Sequence, residues 1–431
     1  MLKYQRNFNA AEGISCLCLL LLTFSLINPF ANLPASAIEE ASQADSEQSF
    51  VSSSIEIEFL PVTSPSPITP TTPEGVSAQA TVRSNIGIKN SGGYSIYLGG
   101  SGELVGQKTG ATISGTPSPS TLKNLPSNTW GYSVITEENL PSDTTYKALS
   151  AGQGDLLASQ NTSVREANHT FTLDFATKIG VDRPADTYEG KFVLSVISSP
   201  RELVTLSDLD TLQQMTSKIC ENTTPGTEVE LVDERDGQTY PVTKFAKDNN
   251  CWITRNLDYA LDPNTPLTSK LSDVSATWTP PATVLTGSPS NFNNNSNDLV
   301  ASYRSTDNVA YGTYYSWGAA TAGTGNASFV SGSTDASACP RGWTLPTHAQ
   351  YSAIFTGMSS GNELIATPYN FKYGGRISNG SLDYLGGGGY YWSSTVNDAA
   401  TAFIVPFDPG VIWPSGVTSR FNGCSVRCVA R

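Results

Sequence analysis

Histidine is almost absent from this sequence: the 431 residues contain only His169 and His348. A Ser-His-Asp triad or a histidine-bound zinc site would have to use one of these two residues, and neither lies in a supporting motif. The glycine run from Gly386 to Gly389 lacks the Lys-Ser/Thr pair that follows a phosphate-binding loop, which indicates a flexible loop instead. The sequence therefore gives no motif for histidine-based or phosphate-based catalysis.

Charge is also scarce, because Asp, Glu, Lys and Arg together make up only 15% of the chain. The 25 basic residues are outnumbered by 38 acidic ones, the formal net charge is -13, and no stretch is locally basic. Phosphate backbones are bound by clustered cations, so nucleic acid is not expected as a partner.

Long helices are not expected either, because 37 glycines and 26 prolines favour strands joined by turns. The hydrophobic fraction of 38% is nevertheless sufficient for packed cores. We therefore predict a mainly β protein, and the length alone gives about three structural units as a starting estimate.

The one long apolar run lies near the N-terminus, from Leu17 to Ile27, after Lys3 and Arg6 and before Ala35-Ser36-Ala37. This order is typical of a signal peptide, so we predict that residues 1–37 are a cleaved leader and that the protein is secreted or held at the cell surface in association with the envelope. Residues 38–75 are rich in Ser, Thr, Pro and Glu, which predicts an extended stalk. Within this stretch, apolar and acidic residues alternate from Ile55 to Phe59, and this segment is equally consistent with a β-strand and with part of the stalk.

Residues 76–199 alternate between apolar and polar side chains, with Gly, Asn and Pro between the alternating segments. Four segments show this period of two: Tyr94–Leu98, Tyr132–Ile135, His169–Phe175 and Lys191–Ile197. The pattern predicts an antiparallel β-sandwich with Trp130 in its core. The blocks Thr129–Tyr132 and Asp186–Gly190 resemble the sandwich modules of bacterial surface proteins, which implies a structural or adhesive module.

Residues 200–227 are predicted to be a connecting helix and a linker. Leu209, Leu212, Met215 and Ile219 recur at helical spacing, and Ser207 or Asp208 is a suitable N-cap. We therefore expect one helix before Cys220.

Residues 228–431 contain separated blocks whose conjunction and order are specific. The blocks are Leu231–Tyr240, Cys251–Leu257, Tyr311–Trp317, Cys339–Thr347, Tyr391–Thr395 and Ser425–Val429. Together they resemble the Fibrobacter succinogenes major paralogous domain, a module of secreted bacterial proteins. The resemblance implies a compact α+β domain with a C-type-lectin-like fold, as in formylglycine-generating enzymes. The chain departs from the family pattern at Ala349–Tyr351 and at Tyr369–Arg376.

The helix after Pro346 is also predicted by its own residues. Thr347 followed by Gln350 forms a capping box, and Tyr351, Ile354 and Phe355 make an apolar helical face.

Removal of the leader takes away Cys16 and Cys18 and leaves Cys220, Cys251, Cys339, Cys424 and Cys428. An odd number predicts two disulfides and one free thiol. With the layout that the resemblance implies, Cys220 would bond Cys251, and Cys339 would bond Cys428. Cys424 is then the spare thiol, although it could instead compete for Cys339.

The ligand-binding face that the resemblance implies lies in the C-terminal loops, outside the family blocks. Its candidate residues are Tyr390, Asn397, Asp398, Asp408 and Trp413. Aromatic rings among Gly, Ser and Asn are typical of recognition surfaces, whereas Trp343 and Trp392 lie inside the blocks and are predicted core residues.

No cofactor or metal is predicted. Calcium is compatible with the oxygen ligands of Asn397, Asp398, Asp408 and the stretch 291–298, but the Glu-Pro-Asn and Trp-Asn-Asp triplets of sugar-binding lectins do not occur.

Three alternative functions are compatible with these features of the sequence. The first is non-catalytic recognition of a surface glycan or protein on a neighbouring cell or host. The second is a metal- or thiol-dependent oxidase-like enzyme, related to formylglycine-generating enzymes, that uses Cys424 and Cys428; an exported dithiol is usually oxidised, which disfavours it. The third is a purely structural role in the envelope.

Overall fold

The computed structural model describes residues 3–6, 14–23, 49–60, 68–135, 144–150, 154–284, 286–293, 295–304 and 309–431. Two compact units are present: Met1–Asp45 with Phe50–Glu202, and Ser46–Ser49 with Leu203–Arg431. Both are built mainly from antiparallel strands, which confirms the mainly β class. Most of the predicted leader and part of the predicted stalk lie outside the described residues. Among the described residues, no helix has the length and apolarity needed to cross a membrane.

Within the described ranges, thirteen strands lie wholly or almost wholly in the N-terminal unit. They are β1 Lys3–Arg6, β2 Ile14–Thr23, β3 Ser49–Val51, β4 Ser54–Phe59, β5 Val76–Gly100, β6 Glu103–Gly106, β7 Thr112–Gly115, β8 Ser120–Thr121, β9 Thr129–Ile135, β10 Thr145–Tyr146, β11 Asp155–Gln160, β12 Val164–Ile179 and β13 Tyr188–Leu203. All four predicted segments lie within strands. Residues 54–59 of the predicted stalk form β4, because their alternating apolar residues pair with β5.

The long strand β5 organises this unit. Strands β11 and β12 pair with one of its edges, and β4 and β13 pair with the other. From β12 the pairing continues through β9, β7 and β6 to β13, so the ladder forms a closed circuit. Alternate residues of β5 point into the core, where Trp130 is buried as predicted and donates from its indole nitrogen to the Gly102 carbonyl.

The predicted helix over residues 200–219 is largely wrong. Strand β13 continues to Leu203, two 3₁₀ turns follow at Leu206–Asp208 and Leu212–Gln214, and only Ser217–Asn222 is α-helical (α1). Separate capping groups explain the difference, because Thr205, Thr211 and Thr216 each begin a new turn. The four apolar residues that suggested one helix, Leu209, Leu212, Met215 and Ile219, are nevertheless all buried.

The C-terminal unit contains small sheets and short helices. Its strands are β14 Glu228–Val232, β15 Thr239–Lys244, β16 Cys251–Ile253, β17 Ser302–Arg304, β18 Thr313–Tyr315, β19 Trp343–Thr344, β20 Arg376–Ser378, β21 Ser381–Asp383, β22 Gly389–Val396, β23 Thr401–Phe407, β24 Gly416–Ser419, β25 Cys424–Ser425 and β26 Val429–Ala430. Its further helices are α2 Trp317–Ala320, α3 His348–Phe355 and α4 Gly361–Ile365, with 3₁₀ turns at Pro289–Asn293 and Val309–Tyr311.

Among the described residues of this unit, these strands form three sheets. One has the strand order β14-β15-β16-β26-β19, the second has the order β17-β18-β25-β22-β23-β24, and β20 pairs with β21. Helix α3 begins with the predicted capping box between Thr347 and Gln350, and its predicted apolar face is buried. Trp343 and Trp392 are fully buried, as predicted.

Two disulfides are present, Cys220–Cys251 and Cys339–Cys428. The first joins α1 to β16, and the second joins the segment before β19 to the residue before β26. Cys424 is free and buried.

Asp273 is a buried carboxylate of the C-terminal unit that contacts Arg431. It accepts a hydrogen bond from the Ser337 hydroxyl at 2.6 Å and pairs with Arg431 at 2.9 Å. Burial raises its pKa to about 6, although Ser337 and Arg431 act in the opposite direction. Burial therefore outweighs the two favourable contacts.

Replacing Asp273 by Asn is expected to remove a pH-dependent loss of stability. Because the folded pKa of about 6 lies above the ordinary 3.8, the folded state binds the proton more tightly, and stability falls as pH rises from about 4 to about 6. We expect the free energy of unfolding of the wild type, relative to Asp273→Asn, to fall by about 3 kcal/mol over this window. Urea titrations followed by tryptophan fluorescence measure it; a difference that does not change with pH would contradict the prediction.

Candidate functional site

A shallow groove of about 470 Å³ lies in the C-terminal unit and is lined largely by aromatic and proline rings. Its lining residues are Tyr390, Pro406, Trp413, Pro414, Ser415 and Gly416. The Trp413 side chain is 46% exposed, which is unusual for the largest apolar residue. The structure thus brings together two of the predicted site residues, Tyr390 and Trp413.

The β22–β23 hairpin positions both rings. Tyr390 pairs with Pro406 across the two strands, and the Trp413 amide donates to the Pro406 carbonyl at 2.9 Å. Asp408 lies in the turn that follows β23 and leads to Trp413. Its carboxylate accepts hydrogen bonds from the amides of Gly410 and Val411 at 2.8 and 2.9 Å. Asp408 therefore supports the loop that carries Trp413.

Helix α3 fixes the far side of the groove through His348. Its Nε2 lies 2.5 Å from the Pro414 carbonyl oxygen, and its ring stacks on Phe403 with 4.5 Å between ring centres. The sequence suggested His348 only as a triad base or a zinc ligand, and it did not indicate this positioning role. Its location in the first turn of a predicted helix gave no indication of a partner 66 residues away.

Arg376 and Tyr384 extend the aromatic surface beyond the groove. The Tyr384 ring lies 5.7 Å from that of Tyr390 and is 61% exposed. The Arg376 guanidinium lies 5.0 Å from the Tyr390 ring centre and 6.0 Å from the Tyr384 ring centre. This arrangement places a cation beside two aromatic faces. Neither residue was among the predicted site residues.

Asn397 and Asp398 lie away from the groove, in the turn at the opposite end of the β22–β23 hairpin. The Asp398 carboxylate accepts from the amides of Ala400 and Thr401, both at 2.8 Å, and these bonds lower its pKa. The two residues therefore organise a turn and do not join the other predicted site residues. Within the described ranges, no group of three His, Cys, Asp or Glu side chains is placed to hold a metal ion.

The proposed Cys424–Cys428 dithiol does not form, because Cys428 is bonded to Cys339. The two cysteines also do not share one strand, since β25 ends at Ser425 and β26 begins at Val429. Burial raises the pKa of the Cys424 thiol to about 12, which keeps it protonated and unreactive at neutral pH.

A second cavity, of about 520 Å³, lies in the N-terminal unit. Its walls include the apolar side chains of Leu104 and Ile113 and the carboxylate of Asp186. Hydrogen bonds from the Thr109 hydroxyl and from the amides of Lys108 and Thr109 lower the pKa of Asp186 to about 2. This carboxylate serves the local loop structure, so the exposed rings of the groove are the stronger candidate site.

The groove is suited to noncovalent recognition, because rigid rings provide apolar contact area with little loss of conformational entropy. Comparison of the chain with protein-family models, with curated proteins and with solved structures gives no match.

Proposed function

We propose that this chain is an exported bacterial cell-surface protein that recognises a glycan through its C-terminal unit. In this proposal the leader directs export, the N-terminal unit is a β-sandwich spacer, and the C-terminal unit is a lectin-like domain of the Fibrobacter succinogenes major paralogous type. The protein is non-catalytic and would bind the surface of a neighbouring cell or host.

The observation that carries the proposal is the exposed Trp413 ring beside Tyr390 in a groove of about 470 Å³. Burial of a tryptophan ring in a protein core is stabilising because it removes apolar surface from water. The exposure of the Trp413 ring on a supported loop therefore indicates a binding role. The support comes from side chains that do not themselves line the groove, namely Asp408 and His348. A shallow, open groove lined by aromatic rings can stack against the apolar C–H face of a sugar ring but does not enclose a bulky side-chain anchor, which favours a glycan over a protein ligand.

Trp413→Ala is expected to weaken glycan binding by about tenfold or more, because central tryptophans contribute disproportionately to binding energy. The measurement is a glycan array probed with the purified full-length chain, followed by calorimetry with the strongest ligand. Phe50→Ala is the matched control, since Phe50 is an exposed aromatic residue of the other unit, 53% exposed.

We expect Phe50→Ala to bind like the wild type. Equal loss in both variants, or no glycan bound by the wild type, would overturn the proposal. The second outcome would favour the purely structural role in the envelope.

A further inference from the structure

Arg376 is a partly buried arginine whose charge is poorly matched by its surroundings. Its Nη1 reaches the Thr418 hydroxyl only at 3.5 Å, and its Nε is buried without a hydrogen-bond partner among the described residues. Asp383 lies opposite Arg376 in the β20–β21 hairpin, yet no ion pair forms between them. Arg376 thus has donor capacity that the described part of the chain does not use.

The other arginines of the C-terminal unit each have a carboxylate or backbone-carbonyl partner, although the Nε of Arg420 is also buried without a hydrogen-bond partner among the described residues. Arg235, Arg255, Arg304 and Arg431 pair with aspartates, whereas Arg341, Arg420 and Arg427 donate to backbone carbonyls. The distances within these pairs range from 2.5 to 3.6 Å for the aspartates. Buried guanidinium groups are normally compensated in this way. Among the described residues, Arg376 has neither a carboxylate partner nor a backbone-carbonyl partner for its guanidinium, and it lies beside the candidate groove.

We infer that the ligand of the groove is an acidic glycan and that Arg376 binds its carboxylate. This inference rests on the proposed function and specifies the substrate class of the same site. A guanidinium presents parallel N–H donors that match the two oxygens of a carboxylate. The carboxylate of a uronic acid is attached directly to the sugar ring, so the ring can stack on an aromatic face while the carboxylate reaches the cation.

The groove and the cluster around Arg376 are continuous, because they share Tyr390. Tyr384 and Tyr390 lie 6.0 and 5.0 Å from the guanidinium carbon of Arg376, and Tyr390 lines the groove together with Trp413. The acidic unit is therefore assigned to the two tyrosines and Arg376, and an adjacent sugar to Trp413. The chain carries a net charge of -13, so a general attraction to anions does not explain such binding. Selectivity must come from the local cation.

The test uses the full-length chain and matched pairs of probes. The probes are short oligosaccharides of galacturonic, glucuronic and mannuronic acid, and the same oligosaccharides with their carboxyl groups methyl-esterified. Esterification removes the charge and retains the rings. The ratio of the acid affinity to the ester affinity, measured by calorimetry, isolates the contribution of the carboxylate.

For at least one pair we expect the wild type to prefer the acid by about tenfold or more, which is the size of one charge-assisted contact. Arg376→Gln is expected to reduce this preference to near unity, because it weakens binding of the acid more than binding of the ester. Arg376→Lys keeps the charge but loses the planar donors, so an intermediate preference is expected. Circular dichroism and thermal midpoints of the variants establish that each is folded.

The outcomes separate the two ideas. If the wild type binds acid and ester equally well, or if Arg376→Gln keeps the acid preference, the acidic-glycan inference is wrong, while loss of binding in Trp413→Ala would still support the groove. If Trp413→Ala binds both probes like the wild type, the groove is not the site and both proposals fail. Binding of neither probe by the wild type would overturn the acidic-glycan inference, and the wider glycan array then decides the proposed function alone.

Discussion

Removing the disulfide between Cys339 and Cys428 by a double alanine substitution is expected to lower the free energy of unfolding of the C-terminal unit by about 4 kcal/mol. The bond spans 89 residues, so its loss frees a long loop in the unfolded chain. It also joins two buried segments that flank the pairing of β19 with β26. Urea unfolding followed by tryptophan fluorescence measures the effect.

The second disulfide and the free thiol provide the comparison. Cys220–Cys251 spans only 31 residues, and the loop-entropy model predicts about 1 kcal/mol less stabilisation from it. Cys424→Ala removes a buried thiol but no cross-link, so a loss of about 1 kcal/mol is expected. If the Cys339/Cys428 double variant lost no more than Cys424→Ala, the cross-link would contribute nothing measurable to stability.

The largest effect of a single substitution is expected at Arg427, whose side chain is 1% exposed. Its Nε donates to the Asn256 side chain at 2.8 Å, and its Nη2 donates to the Asn370 carbonyl at 2.5 Å. The Nη1 atom lies 3.3 Å from the carbonyl oxygens of Ile253 and Tyr369. One side chain therefore links three separate segments of the C-terminal unit.

Arg427→Ala is expected to lower the free energy of unfolding by about 4 kcal/mol. Truncation leaves a cavity where the guanidinium packed 4.7 Å from the Phe371 ring centre, and it leaves buried carbonyls without donors. Arg427→Met fills most of the volume without restoring the hydrogen bonds, so a smaller loss of about 2 kcal/mol is expected. Denaturant titrations measure both values.

An exposed residue of the same unit is the control. Lys270→Ala is expected to change stability by no more than about 0.5 kcal/mol, because Lys270 is exposed. A loss at Arg427 as small as that at Lys270 would show that the buried hydrogen bonds do not contribute to stability.

Local signals in the sequence were sufficient wherever one element is defined by its own residues. The capping box and apolar face of α3 predicted that helix, and alternating residues predicted the strands around Tyr132 and Phe192. They were not sufficient between residues 200 and 219, because a spacing of three or four residues fits both one helix and successive 3₁₀ turns. The closed circuit of strand pairs that begins and ends at β5 was not predictable, because it depends on which strands pair across long distances in the sequence.

The candidate site was also only partly predictable from the sequence. Aromatic residues among Gly, Ser and Asn suggested Tyr390 and Trp413, although Tyr390 lies in strand β22 and not in a loop as predicted. Acidic and amide residues at turns look alike whether they bind a ligand or the backbone, so the sequence grouped Asp398 with Trp413 although the structure places it in the turn at the other end of the hairpin. Arg376 was missed because its significance lies in what surrounds it, and a sequence does not show whether an arginine has partners.

The position of β26 has a consequence for the order of events in the cell. Val429 pairs with Trp252 and also with Thr344, so residues close to Arg431 occupy the interior of a sheet that begins at Glu228. This sheet is incomplete until Val429 and Ala430 have been added, so the early strands β14, β15 and β16 must wait for the far end of the unit before the sheet can be completed. The cross-link at Cys428 has the same requirement, whereas Cys220 and Cys251 can bond much earlier.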